Sequence, residues 1–433
     1  YSHINDFYEI DARTYLESFN KKFHIISLMN SHLVRDVGSA GPPEFLHTEQ
    51  ALKSYLSHLK KNGYVSFEER IFGKKSVYSS KRFLNTVIQT LKKQNKDPKK
   101  HLYVYQWIYH SLPDYYTTKD FLMIMVKKSP FTKEDFKKIA FWKEQIHDKP
   151  YVNHQIIDIY PKLDSEDKMS KDFYGFIQKT ISQKQSSKYK IISDNQPFPW
   201  ADKNNTGLKK YFIKIIIVLS ILFITLITFI VFKKTDLMNV FKSSKKDVLL
   251  LLFYFSGIGV GYFIIEIGLM NFYQIYTGGP GYSFVFILSV LLFSSGLGSH
   301  YRKKIKVQTN MIFLTILLLS LVHLFVFRKL IPLFQFSPLM NSILIAILVF
   351  PLGFVMGMPF PDGIAYVKKH IHEKWVPLFF AVNLIFSAFA VFLSFYLSVE
   401  KGFIFTFFTG LIFYLISLVM MSLLMKRRKF EQK

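Results

Sequence analysis

A chain of 433 residues has room for one or two domains and a membrane unit, and half of its residues are hydrophobic, 46 of them Phe. A formal charge of +26 would ordinarily suggest nucleic acid. Much of that charge lies in short loops between apolar runs, where Lys and Arg set membrane topology instead, so no nucleic-acid partner is expected. Cysteine is absent, which excludes disulfides, thiolate metal sites and cysteine nucleophiles. No signal peptide is visible, and the chain opens at Tyr1 inside a strand-like pattern, so a fragment is expected.

The first 160 residues alternate between strand and helix patterns. Phe7–Ile10 reads as a strand running into Asp11-Ala12-Arg13 and a helical pattern. Asp11 reads as an N-cap of that helix. Phe23–Leu28 is a second strand candidate, and Glu49–Lys61 places Ala51, Leu52, Tyr55, Leu56 and Leu59 on one helical face. Asn62-Gly63 reads as its stop, before a strand at Tyr64–Phe67. Lys81–Lys93 is amphipathic; His101–Ile108 and Phe121–Lys127 read as strands, with Tyr103, Tyr105, Trp107 and Tyr109 alternating along one face. Thr132-x-x-Asp135 is a capping-box variant, with Phe131 placed to staple onto Phe136. Val152–Ile159 is the last strand of what reads as an α/β sheet. Residues 161–210 are polar and read as a linker with a basic membrane-flanking end at Lys209 and Lys210.

Residues 211–433 read as an all-α polytopic domain of about seven spans: 211–232, 247–270, 281–300, 309–331, 338–359, 375–398 and 402–425. The loops after the first, third and fifth spans and the tail are rich in Lys and Arg, which places them, and the C-terminal tail, in the cytoplasm. Seven spans then put the soluble domain outside, but basic residues flank span one on both sides, so its side stays open. Span two carries one acid, Glu266, on a face shared by Gly259, Tyr262 and Tyr273. An ionisable residue inside a span is costly, so it is a functional candidate by default. A polar partner is expected for it, with hydroxyls, Asn383, His323 and Lys214 as the candidates. Asn383, Ser387 and Ser394 line one face of span six, as interhelical hydrogen-bonding groups or the wall of a polar cavity. Gly257 and Gly261, like Gly353 and Gly357, have the spacing of close helix packing. Pro351 should kink span five, and Asp362 reads as a helix cap.

Several motifs together resemble the transmembrane spermidine synthase-like family, in which a methyltransferase-type domain is joined to a polytopic segment. They are the Gly-x-Gly-Tyr-Phe-x-x-Glu run from Gly259 to Glu266, the turn ending at Pro280, Ser295–Ser299, Phe350–Pro361, and Val382-Asn383 with Ser387. In the soluble half they are Asp11-Ala12-Arg13, Leu59–Val65, Lys128–Thr132 and Ser193–Phe198. The resemblance implies a partial Rossmann-like domain over residues 1–160. It also implies that Asp11 would bind the adenine amine of S-adenosylmethionine, or of a decarboxylated relative, in the intact parent. Two departures weigh against activity. The family's Gly-rich turn would lie upstream of Tyr1, and the position of its catalytic Asp is Met29, a thioether that cannot act as a general base; His32 is the next candidate. No cofactor is therefore expected for this fragment.

Three functions are expected, the first of them implied by the resemblance. The first is a membrane-bound, S-adenosyl-dependent transferase-family protein, inactive as this fragment, in a bacterial inner membrane. The second is a transporter- or channel-like unit using Glu266, and the third a structural protein without chemistry. The bilayer is a partner in all three, and a small amine or lipid-soluble molecule is the expected substrate. No metal-ligand spacing, Ser/His/Asp constellation or P-loop is present.

Overall fold

A computed structural model describes residues 10–29, 43–71, 74–109, 120–147, 154–183, 189–201, 210–218, 220–221, 225, 235–334 and 336–431. The chain forms two compact units, Asn20–Asn205 on one hand and Tyr1–Phe19 with Thr206–Lys433 on the other.

The first unit holds a mixed five-stranded sheet with helices. Its elements are β1 (Phe23–Leu28), α2 (Glu49–His58), β2 (Leu59–Arg70), α3 (Lys74–Lys93), the short α4 (Pro98–His101) and β3 (Leu102–Tyr109). They continue with β4 (Asp120–Lys127), α5 (Lys133–His147), β5 (His154–Tyr160) and α6 (Lys168–Ser182). Strand order is β1-β2-β4-β3-β5. Only β1 and β2 are parallel, and α2 lies in the crossover between them; β4 runs antiparallel to both of its neighbours. One face of the sheet is a closed apolar core in which Val65, Phe67, Val104, Ile124 and Val126 are buried together with the α2 and α3 residues Leu52, Phe83 and Val87. The other is packed by α5, where Tyr103, Tyr105 and Met123 meet Phe136 and Ile139.

All five expected strands from Phe23 onward are present, whereas Phe7–Tyr8-Glu9 and His32 lie outside the described residues. The helix expected to reach Lys61 stops at His58, because β2 begins at Leu59, opposite Phe23. Asn62-Gly63 is thus inside a strand. A Cβ on Gly63 would come within 2.8 Å of the His24 carbonyl oxygen, so the glycine allows a close backbone approach beside a register shift.

The expected linker is also revised, since most of it belongs to the sheet unit. Phe173 and Ile177 of α6 are buried, and α6 packs on α3 and β5. Beyond it, carbonyls of residues 189–201 are taken by α3: Asn85 Nδ2 donates to Tyr189 O (2.6 Å), and Arg82 to Lys190, Phe198 and Ala201. Asp194 accepts from the Thr48 hydroxyl at 2.6 Å. A window average misses such anchoring, because a polar stretch can be held by its backbone.

The capping box forms as expected. The Thr132 hydroxyl accepts from Asp135 N (3.2 Å), the Asp135 carboxylate accepts from Thr132 N (2.7 Å), and the Phe131 and Phe136 rings lie 5.7 Å apart. Asp135 also accepts from Lys127 Nζ at 2.5 Å. Burial alone would raise its pKa, but the hydrogen bonds from Lys127 and Thr132 together hold it below the usual carboxylate range. A carboxyl depressed in the folded state stabilises above its unfolded pKa, and that contribution is lost as pH falls through the folded value. Asp135→Asn is expected to cost about 1 kcal/mol at neutral pH, with the gap from the parent closing in acid. Thermal melts of both proteins from neutral pH downward measure this.

The second unit is helical. It comprises α1 (Ala12–Ser18), a described helical stretch at 210–218, α7 (Thr235–Tyr273), α8 (Pro280–Tyr301), α9 (Thr309–Val322), α10 (Arg328–Phe334), α11 (Pro338–Met356), α12 (Pro359–His370), α13 (Val376–Lys401) and α14 (Phe403–Glu431). A π-helical turn, His323–Phe327, joins α9 to α10. Among the described residues six helices are long and apolar enough to cross a membrane, beginning at Lys246, Pro280, Thr309, Pro338, Glu373 and Phe403, as a multi-pass membrane protein requires. They match the expected spans from 247 onward; much of the expected first span, 211–232, lies outside the described residues.

The span within α7 is the most enclosed of the six and packs chiefly on α14 and α13. Small residues make this possible. Gly257 and Gly261 face Ser417, Tyr414 and the Gly410 carbonyl of α14, and Gly259 faces Asn383 and Ser387 of α13. The basic loops and the tail gather at one end, joined by Arg302–Asp362 and by Asp247–Arg427 (3.0 Å).

Candidate functional site

Glu266 lies on α7 with 2% of its surface exposed, and its Oε1 has no hydrogen-bond partner among the described residues. Its carboxyl interacts electrostatically with the phenols of Tyr262 and Tyr414. Tyr262 is one turn back on the same face, and its hydroxyl is 3.3 Å from Ser295 Oγ of α8. Tyr414 comes from α14, and its hydroxyl also lacks a partner among the described residues. The expectation that Glu266 faces other helices holds; no hydrogen-bond partner for its Oε1 is found among the described residues.

Asn383 and Ser387 sit elsewhere. Asn383 Nδ2 donates to the Phe255 carbonyl (3.0 Å), and both residues line the Gly259 crossing. Gly259 is seven residues from Glu266, roughly 10 Å along a helix at about 1.5 Å per residue, too far for a hydrogen bond. Phe255–Asn383 and Gly259–Ser387 set the α7–α13 register. Continuing it brings Ser394 level with Glu266, and Ser394 Oγ is likewise buried without a partner among the described residues. Three buried polar atoms, Glu266 Oε1, Tyr414 OH and Ser394 Oγ, are therefore all unsatisfied. Buried polar groups are ordinarily hydrogen-bonded, so such a group invites explanation, a functional one included.

The two basic candidates have other engagements. His323 Nε2 lies 3.1 Å from the Leu348 carbonyl and Nδ1 lies 2.7 Å from the Tyr273 hydroxyl. A carbonyl can only accept, which places the proton on Nε2 and makes Tyr273 the donor to Nδ1. The acceptor is three residues before Pro351, in the turn where proline disturbs the helical ladder. Lys214 Nζ stands 6.0 Å from the Tyr211 ring centroid.

Asp362 is not the expected helix cap: it lies in the first turn of α12, whose N-cap is Met358. Arg302 reaches it through Nε (2.6 Å) and Nη2 (2.9 Å), and the Thr309 hydroxyl donates to it at 2.8 Å. This bidentate clasp ties α8, α9 and α12 together. Its sequence signal is an acid at the edge of a basic loop.

Asp11 caps α1, its carboxylate accepting from Arg13 N (2.9 Å) and Thr14 N (3.2 Å). Asp11 N donates to the Gly278 carbonyl at 3.2 Å, and this segment clusters with the helical unit, so the sheet unit starts at Asn20 and not at the expected first residue. Met29, at the end of β1, is 61% exposed. No group of acids and histidines spaced for a metal ion occurs among the described residues. No family model, curated protein or solved structure matches this chain.

Proposed function

We propose that this is a multi-pass membrane protein whose working group is Glu266, acting as a transporter-like site for a proton or a small amine. The observation that carries the reading is the buried carboxyl with an unpartnered oxygen beside Tyr262 and Tyr414. A carboxyl kept only for packing would be expected to be hydrogen-bonded, since an unsatisfied ionised group in a span costs several kcal/mol. An incoming proton or ammonium would relieve that cost. The gathering of basic loops and tail at one end supports a cytoplasmic tail, and a bacterial inner membrane remains the proposed location.

The test is chemical. Dicyclohexylcarbodiimide adds to protonated carboxyls in apolar surroundings, so it should modify the peptide containing Glu266, and Glu266→Gln should abolish the mass shift. Absence of modification in folded protein would count against a proton-exchanging carboxyl. Glu266→Gln should express normally yet lose function, and a variant that works like the parent after Glu266→Leu would sink the reading.

The arrangement of the sheet favours a second, complementary reading, a spermidine synthase-like, S-adenosyl-dependent transferase scaffold. The parallel β1–β2 pair with α2 in its crossover is the repeating unit of doubly wound folds, and β3 runs in the same direction beyond the inserted β4. Met29 supplies no general base, and the Asp11 carboxylate already caps a helix. The scaffold is proposed without aminopropyl transfer. Calorimetry on the full chain in detergent is expected to detect no micromolar binding of S-adenosylmethionine; such binding would restore the active-transferase reading.

A further inference from the structure

On the α5 side of the sheet lies a cavity of about 490 Å³, running from β1 across β2 and β4 to β3. Its size is that of a small-molecule site, which typically spans roughly 300–1,000 Å³. Three features distinguish it from a sheet face awaiting a helix. First, the surface that β1 and β2 present here carries neutral hydroxyls, with Ser27 set between the exposed Ile25 and Met29. Ser27 and Ser66 are register partners with their Oγ atoms 3.1 Å apart, and Tyr64 follows on the same face two residues from Ser66. A sheet face covered by a helix is near-continuously apolar, as the opposite face is here, where Leu28, Val65 and Phe67 are buried. Second, a single hydrogen bond within the Ser27–Ser66 pair uses only one of its two hydroxyl hydrogens. The other remains to be donated outward, and lone pairs remain to accept. Third, the ionic groups beside these hydroxyls are mutually neutralised: Lys127, opposite Tyr64, is held by Asp135 at 2.5 Å.

The far end of the cavity is aromatic and thioether. Tyr105, Trp107 and Trp142 stand edge to face, with Met125 of β4 between them and the serines. Neutral donors and acceptors at one end and flat apolar walls at the other are complementary to one kind of molecule. The geometry points to this cavity as a binding site for a neutral, planar ring compound bearing hydroxyl or carbonyl groups. Its polar substituent is met by Ser27, Ser66 and Tyr64, and its ring lies over Met125 toward Trp142. The assignment is independent of Glu266, which belongs to the other unit.

The probe is 1,4-naphthoquinone, a neutral planar ring with two carbonyls that quenches indole fluorescence. The absence of cysteine removes its usual thiol adducts, and two of the four tryptophans line the cavity. Titrated into the full chain in detergent, it should quench saturably. Ser27→Trp, at an exposed position on β1, fills the cavity and should weaken binding at least about tenfold, equivalent to about 1.4 kcal/mol. Met29→Trp at the exposed rim is the second blocking variant should the first not fold. Ser27→Ala with Tyr64→Phe should weaken binding several-fold, whereas Trp142→Phe should reduce the quenching amplitude. Quenching that rises without saturation would reveal partition into detergent and overturn the site. Unchanged affinity in a folded blocking variant would also overturn it, and unchanged affinity in the hydroxyl double variant would overturn the assigned ligand chemistry.

Discussion

Replacing Arg82 by Leu should cost the sheet unit about 3–5 kcal/mol, because buried carbonyls lose charge-assisted hydrogen-bond donors. The guanidinium is almost wholly buried on α3. Its Nε donates to Lys190 O at 2.9 Å, and Nη1 donates to Phe198 O at 2.6 Å and Ala201 O at 2.8 Å. These are charge-assisted bonds, and they close the stretch 189–201 onto the sheet unit. Leu would fill the space while leaving those carbonyls to find other donors, at a cost of about 1–3 kcal/mol for each one left buried. Against a typical domain stability of about 5–15 kcal/mol, the loss should appear as a lower melting temperature. It should also appear as early proteolytic cleavage within 189–201, with Trp200, whose ring is 5.7 Å from that of Phe198, as a local reporter. Arg82→Lys should recover only part of the loss, because one ammonium cannot span three carbonyls in the fixed fork of a guanidinium. A Leu variant as stable as the parent would mean that these carbonyls are satisfied without Arg82.

The second large effect is expected at the α8–α11 crossing. Ser294 and Gly298 of α8 face Gly353 of α11 and Gly357, its C-cap. A Cβ on Gly298 would overlap the backbone carbonyl of Phe354, and one on Gly357 that of Ser295. Backbone cannot move aside as a side-chain tip can, so the two helices must separate. Gly298→Ala should therefore cost about 3 kcal/mol, the upper end of the ordinary overpacking range. Gly357→Ala should cost a similar amount, and the double variant less than the sum, because one separation relieves both clashes. Gly296→Ala is the control: nothing lies within 4 Å of its would-be Cβ, so it should be neutral to slightly stabilising. Thermal unfolding in detergent micelles or bicelles compares the four. A destabilised Gly296→Ala with an unaffected Gly298→Ala would overturn this packing.

Local chemistry was enough to identify several features. The alternating runs at Phe23–Leu28 and Phe121–Lys127 are strands, because a period of two is legible within a few residues. Thr132-x-x-Asp135 is a reciprocal cap, since both hydrogen bonds span three residues. Spans from 247 onward are long apolar helices, because crossing about 30 Å of hydrocarbon demands an unbroken run. The glycine spacing at Gly257 and Gly261 marks a packing face, though not the α14 residues that it meets.

Long-range partners were a different matter. Asn62-Gly63 has the composition of a turn, yet it lies in a strand because β1 passes close enough to require a residue without a side chain. The polar stretch after residue 160 is anchored by Arg82 and Asn85, more than a hundred residues away, through backbone carbonyls that carry no sequence signature. Glu266 was legible as an acid in a span. Its separation from Asn383 and its neighbourhood with Tyr414 depend on which turns of α13 and α14 cross α7, and that is decided by the glycines where backbones touch. Periodicity reports which face of an element is apolar, whereas partner and register come from the summed fit of surfaces distant in sequence.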